Sequence, residues 1–300
     1  FYQTVARNGS VTDAVHQIYP QAFAVYALAT YGHVFDDPEA IALASRCFKA
    51  FDERVHDPRF GGYDLTGDPP WQTPGASKET NTHIHVMEAL TALAEVDLDT
   101  HVHQRLREFT ELTITKHRRP TNYAHLEFGL DYSPIGEPLV SYGHDMETSW
   151  LVIDALRVLH AKQVVAPLPA SIRELALAMG KASAVWGFDA AKGGYFNKGV
   201  PDGHVLDAEK IWWVQFEALP ALVQLHLAGL LPDALARLER TLDWIEAAQS
   251  DAEYGGVYWG VLPDGKLGAC GDVKGNLWKA SYHELRALMF AADWLAQHRP

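Results

Sequence analysis

Four stretches of the sequence place imidazoles, carboxylates and indoles at helical spacing. In Lys78-Glu79-Thr80-Asn81-Thr82-His83-Ile84-His85-Val86-Met87-Glu88, residues Asn81, His85 and Glu88 recur four and three apart and share one helical face. His83 and His85 do not face each other, which argues against a metal held by both. In Ser141-Tyr142-Gly143-His144-Asp145-Met146-Glu147, the Glu147 carboxylate lies within reach of the His144 imidazole, three residues earlier at a helix start. Such a pair sets the ring's tautomer and supports the imidazolium once it forms. Lys210-Ile211-Trp212-Trp213-Val214-Gln215-Phe216-Glu217 joins two indoles to a polar pair. Leu277-Trp278-Lys279-Ala280-Ser281-Tyr282-His283-Glu284-Leu285-Arg286 runs from a loop into a helix, so Trp278 and His283 lie at an element end, where functional groups concentrate.

Each stretch also has a structural reading. The first can be a helix with two partly buried histidines. Asp145 and Glu147 can simply complement a helix N-terminus. One of Trp212 and Trp213 is expected to pack in the core and the other to face a site, and Trp278 and His283 can be a buried ring and a cap.

Composition narrows the chemistry. The net charge of −13 excludes partners that need a basic surface, nucleic acid and anionic membranes among them. No apolar run approaches the ~20 residues of a membrane span. Cys47 and Cys270 make neither a disulfide framework nor a metal-type spacing, which fits a reducing cytoplasm. There is no dinucleotide fingerprint, phosphate loop or zinc motif, so no cofactor or metal is expected. Fifteen histidines with 9 Trp, 12 Tyr and 12 Phe suit a protein that stacks rings on sugar faces and moves protons near neutral pH.

The elements that position these residues are helical. Apolar spacing of three and four predicts helices near 12–31, 37–55, 78–96, 100–117, 144–162, 170–186, 208–229, 231–249 and 279–298. Pro20 should disturb the first. Asp36-Asp37-Pro38 supplies a cap followed by an early proline, and Pro232-Asp233 a weaker one. Between helices lie Phe60-Gly61-Gly62-Tyr63, Gly193-Gly194-Tyr195-Phe196 and Tyr254-Gly255-Gly256-Val257-Tyr258-Trp259, with a looser version at Glu127-Phe128-Gly129-Leu130-Asp131-Tyr132. This internal period implies two helices plus a glycine-rich strand or hairpin per unit, and hence an all-α toroid of helix pairs. The chain opens inside an aromatic hairpin, Phe1-Tyr2-Gln3. The expectation is a single barrel domain over 1–300, N-terminally truncated by about three helices, with a shorter open helical array as the alternative.

Taken in order, Asn81-Thr82-His83-Ile84-His85-Val86-Met87-Glu88-Ala89, Ser141 to Glu147, Trp212-Trp213-Val214-Gln215-Phe216-Glu217-Ala218 and Trp278-Lys279-Ala280-Ser281-Tyr282-His283 resemble cellobiose 2-epimerases of the N-acylglucosamine 2-epimerase family. The resemblance covers nearly the whole chain. It implies an (α/α)6 barrel that opens a reducing-end sugar, removes the C2 proton and returns a proton to the other face of an enediolate. By motif position His144 and His283 resemble the acid–base pair, with Glu147 supporting His144. His85 resembles the histidine assigned to ring opening or to the enediolate oxygens. Trp278 resembles a stacking residue, and Tyr258 or Trp259 a second ring. Asn81, Trp213 and Glu217 complete the substrate-binding set. The family's early arginine has no counterpart here, and Arg118 and Arg119 follow a different motif.

The resemblance implies a mono- or disaccharide substrate and a monomer or homodimer. Its rivals are an aldose–ketose isomerase working through the same enediolate, a glycoside hydrolase using carboxylates such as Asp145, Glu147 and Glu217, a non-catalytic carbohydrate-binding fragment, and a helical scaffold.

Overall fold

The computed structural model describes residues 1–2, 4–15, 17–65 and 75–298; Gln3 of the opening hairpin lies outside them. Among the described residues run nine α-helices: α1 (Ile18–Phe35), α2 (Pro38–Val55), α3 (Thr80–Val96), α4 (Thr100–Leu112), α5 (Tyr142–Lys162), α6 (Ala170–Trp186), α7 (Trp212–Leu227), α8 (Ala234–Trp244) and α9 (Tyr282–Gln297). Both α4 and α8 end in a wider π-turn, Thr113–His117 and Ile245–Gln249. Residues 12–15 and 17 are not helical. The run Val11–Asp13 is a strand paired with Thr4–Val5, so α1 starts later than the periodicity suggests. Pro20 therefore falls in the first turn, where its missing N–H costs nothing. The α2 start is as expected: Asp37 Oδ1 accepts the N–H groups of Glu39 and Ala40 at 2.9 and 3.1 Å, and Pro38 follows the cap. Asp233 precedes α8 without a side-chain capping bond.

The chain packs as two compact units interleaved along the sequence: Phe1–Arg118 with His125–Glu137 and Leu151–Arg173, and Arg119–Ala124 with Pro138–Trp150 and Glu174–Pro300. In the first, α1 packs on α2 and α3, and α3 packs on α4. In the second, α7 packs on α8 and α9. Two of the helices that begin with the sequence motifs, α3 and α7, are buried on nearly every side, whereas α2, α4 and α8 bury one stripe.

The glycine pairs build one device three times. Asp57, Asp189 and Asp251 each use Oδ1 to accept two consecutive backbone N–H groups, those of Arg59 and Phe60, Ala191 and Lys192, and Glu253 and Tyr254. The loop then closes through two glycines with φ between 71° and 81°, a conformation that costs glycine nothing. The other carboxylate oxygen binds a lysine from the next strand or loop: Lys78 at 2.5 Å, Lys210 at 2.7 Å and Lys274 at 2.5 Å. Lys78 and Lys210 are fully buried. The segment Glu127–Tyr132 does not repeat this loop. Glu127–Gly129 is instead the middle strand of an antiparallel sheet with Ser77–Glu79 and Pro134–Ile135.

The tyrosine after each of the first two glycine pairs is clasped through its backbone. In the second unit, the Gln215 amide accepts from the Tyr195 N–H at 2.7 Å and donates to its carbonyl at 2.8 Å. In the first, His83 holds the same place: Nε2 lies 3.2 Å from the Tyr63 nitrogen and 2.9 Å from its carbonyl, and Nδ1 lies 3.1 Å from His117. Burial pushes the His83 pKa down from 6.5 to about 4, so the ring is neutral in the folded chain.

The unfolded chain takes up that proton near pH 6.5 and the folded chain only near 4. His83 therefore lowers stability progressively as pH falls between those values, on the order of 3 kcal/mol in total. Because Gln215 makes the equivalent clasp without titrating, His83→Gln is expected to flatten this part of the stability–pH curve. Urea unfolding from pH 7 to pH 4 checks it, and an unchanged slope would assign the acid sensitivity to other groups.

Candidate active site

The second unit gathers three of the predicted motifs at helix starts. The strand Val140–Ser141 leads into α5, whose first turns carry His144, Glu147 and Trp150. Lys210–Ile211 leads into α7, which carries Trp213 and Glu217, and a loop ending at Ser281 leads into α9, which carries His283 and Arg286. Residues three or four apart lie on one helix face, so each helix offers its pair to the same side.

Glu217 is the centre of the cluster and is fully buried. Its Oε1 lies 2.7 Å from His283 Nδ1 and accepts from Arg286 Nη2 at 2.5 Å, and its Oε2 accepts from the Trp150 indole at 2.9 Å. Burial alone would raise the Glu217 pKa. The Arg286 guanidinium, helped by His283, outweighs burial and holds the carboxyl below its ordinary range. The same Arg286 nitrogen donates to Glu147 Oε1 at 2.6 Å. An ionised Glu217 facing Nδ1 fixes the orientation of the His283 ring.

His144 meets the same Trp213 ring as this dyad. Its Nδ1 lies 2.8 Å from Ser141 Oγ, and its ring centroid is 4.7 Å from that of Trp213. The Trp213 ring is 5.8 Å from His283, so one indole lies near both imidazoles. Gly143 makes this possible: a Cβ there would lie 2.5 Å from the Trp213 ring. Of the tryptophan pair, Trp212 is the one in the core, 2% exposed, with Trp259 at 4.3 Å and the buried Lys279 ammonium 4.7 Å from its centroid. Trp259, rather than Tyr258, is the ring that meets Trp212; Tyr258 is half-buried beside it. Trp278 is 58% exposed on the loop before α9.

The first unit carries the remaining predicted residues. His85 Nδ1 lies 3.0 Å from Glu88 Oε2, and the rings of Tyr19 and Phe23 lie 5.1 and 5.0 Å from the imidazole. Asn81 is half-buried one turn earlier on the same helix. The neighbouring His83 belongs to the structural clasp.

Asp145 is no helix-end ornament. Fully buried, it accepts from the Ala124 N–H at 2.8 Å and from Ser183 Oγ at 2.7 Å, anchoring the helix turn that bears His144. Burial raises its pKa to about 7. Two partners escaped the sequence reading, Arg286 and Trp150. Arg286 lies three residues after His283, a spacing that marks a shared face, but nothing in the sequence shows that two distant glutamates converge on it. Among the described residues, Glu147, Glu217 and His283 bring one ligand atom each within 4.8 Å and form a possible metal-binding group, into which Arg286 already places a cation.

The sequence profile of the N-acylglucosamine 2-epimerase (GlcNAc 2-epimerase) family matches residues 1–287. The chain belongs to this family. It is 29% identical to cellobiose 2-epimerase of Bacteroides fragilis over 299 residues, covering 95% of this chain and 74% of that protein. The corresponding enzyme of Dictyoglomus turgidum is 25% identical over 298 residues, with 95% and 73% covered. Among solved structures, cellobiose 2-epimerase of Spirochaeta thermophila superposes with a TM-score of 0.87 at 31% identity, over 98% of this chain and 74% of that one. A D-mannose isomerase shares the fold, with a TM-score of 0.81 at 18% identity over 95% of this chain and 74% of that one. The fold is thus all-α, as expected from the helical periodicity, and the (α/α)6 one that the family resemblance implied, and the family is one of isomerases acting on sugars.

Gly143→Ala should push Trp213 away from the imidazoles. The expected cost is about 1–3 kcal/mol of stability, with a shift in tryptophan emission. Thermal unfolding and fluorescence together check it; an unshifted spectrum at wild-type stability would mean that Trp213 yields without consequence.

Proposed function

We propose that the protein is a sugar 2-epimerase acting on the reducing-end glucose or mannose unit of a cellobiose- or mannobiose-type substrate. The observation that carries this reading is the pair of imidazoles, His144 and His283, that both meet the Trp213 ring, one of them held by an ionised glutamate. After ring opening, one histidine takes the C2 proton, leaving an enediolate, and the other returns a proton to the opposite face of C2. Breaking and remaking the same C–H bond needs no oxidant or reductant. Neutral imidazole is a base suited to pH 7, and its conjugate acid is the matching proton donor.

In this reading Glu217 orients His283, Glu147 supports His144, and His85 with Glu88 assists ring opening or meets the enediolate oxygens. Asn81 binds sugar hydroxyls, and Trp213, Trp259, Tyr258 and Trp278 supply ring platforms. Residues 1–300 act as one epimerase domain, as a monomer or homodimer. The protein works in the cytoplasm, where its unpaired Cys47 and Cys270 stay reduced. Among the described residues no helix is long and apolar enough to cross a membrane. The names of the relatives favour epimerisation over hydrolysis. So does the electrostatics: a glycosidase needs one carboxyl protonated, whereas Glu147 and Glu217 share one guanidinium.

Incubation with cellobiose, and separately with mannose, in deuterated water is expected to give a C2-epimeric product carrying deuterium at C2. A 2-ketose would move the assignment to an aldose–ketose isomerase, and no exchange with either sugar would remove the enediolate reading. His144→Asn and His283→Asn should each lower turnover at least about 100-fold while the fold persists. Trp278→Ala should raise KM about tenfold with little change in kcat. Wild-type turnover in either histidine variant would end the assignment.

A further inference from the structure

Arg286 is 5% exposed, yet it is the cation nearest two buried carboxylates. One of its nitrogens donates to both Glu147 and Glu217, the other terminal nitrogen to the Tyr282 hydroxyl, and its planar head lies 4.8 and 4.2 Å from the Trp150 and Tyr282 ring centroids. The groups it joins come from three helices: α5, α7 and α9. Without that cation, Glu147 and Glu217 would face each other buried and like-charged, with the His283 nitrogen alongside. Such a set of two carboxylates and one imidazole is a ligand set that zinc accepts.

We propose that Arg286 is the built-in cation of this carboxylate–histidine cluster: it positions Glu217 against His283 and occupies the place a divalent metal would take. The positioning half rests on the epimerase reading; the exclusion half does not. Arg286 acts through Glu217 and is a positioning residue. A lysine can restore the charge at one nitrogen but neither the second donor nitrogen, which reaches the Tyr282 hydroxyl, nor the planar head against Trp150, so rescue by Arg286→Lys should be partial.

Two measurements test this on the full chain. The first is calorimetric titration with zinc chloride and no sugar present. Wild type and Arg286→Lys are expected to take up no zinc at this cluster. Arg286→Ala should bind one ion per chain, and adding Glu217→Gln to it should abolish that binding. The second is the pH dependence of kcat/KM. Arg286→Gln should lose about 100-fold, and its acid limb should move to higher pH, because Glu217 no longer has the guanidinium that keeps it ionised. Arg286→Lys should recover part of the loss and return the limb toward its original place.

Zinc uptake by wild type equal to that of Arg286→Ala would overturn the exclusion. A wild-type pH profile in Arg286→Gln would overturn the positioning. If Arg286→Ala does not fold, Arg286→Gln, which fills similar space, carries both measurements. A wild-type protein that turns over none of the sugars would count against the epimerase reading alone, and the zinc titration would still decide the exclusion.

Discussion

A buried lysine held by an aspartate beneath a glycine pair is the contact on which the architecture depends. Lys78 and Lys210 are fully enclosed, and an enclosed ammonium is tolerable only when paired and hydrogen-bonded. Lys78 finds Asp57 and the Leu130 carbonyl, and Lys210 finds Asp189 and the Gly193 carbonyl. Each aspartate can serve its lysine only because its other oxygen is fixed by two backbone N–H groups and the loop turns back through two left-handed glycines. Removing either partner would leave a buried charge, at a cost of about 3–5 kcal/mol. The lysine stands just before α3 in one unit and just before α7 in the other, so the pair also sets where those buried helices begin.

From those starting points the chemistry follows by helical geometry. Five residues after the lysine comes the clasp, His83 or Gln215, which ties the helix to the tyrosine of the preceding loop. Two residues after each clasp comes a residue that the sequence motifs single out, His85 in one unit and Glu217 in the other. Structural and chemical side chains thus alternate on adjacent faces of the same helix turn. This explains why two histidines so close in sequence, His83 and His85, have different fates. One is pressed against a backbone and kept neutral by burial; the other is paired with Glu88.

Electrostatics in the second unit is arranged around a single guanidinium. Burial opposes the charge on Glu217, and Arg286 more than reverses that opposition. The outcome is a carboxylate that stays ionised in a place that would otherwise neutralise it, which is the state able to hold an imidazole by its Nδ1–H. Asp145, one residue beyond His144, meets burial without a comparable partner, and its pKa rises to about 7. Two buried carboxyls on neighbouring helices thus shift in opposite directions through the presence or absence of one cation.

Much of this was legible in the sequence. The helices, the α2 cap, the glycine loops and the position of three motifs at helix starts follow from local rules, because periodicity, capping and turn residues act over a few positions. The family was legible for the same reason: its motifs are short, contiguous strings. Tertiary structure alone decided the rest. It moved the start of α1 beyond Val11–Asp13, because strand pairing with Thr4–Val5 competes with helix there. It separated His83 from His85 and Trp212 from Trp213 by what each ring met. It also brought Arg286 to Glu147 and Glu217, 139 and 69 residues away in the chain. Contacts at that separation leave no local pattern, since their energy comes from excluding water between elements that the sequence lists far apart.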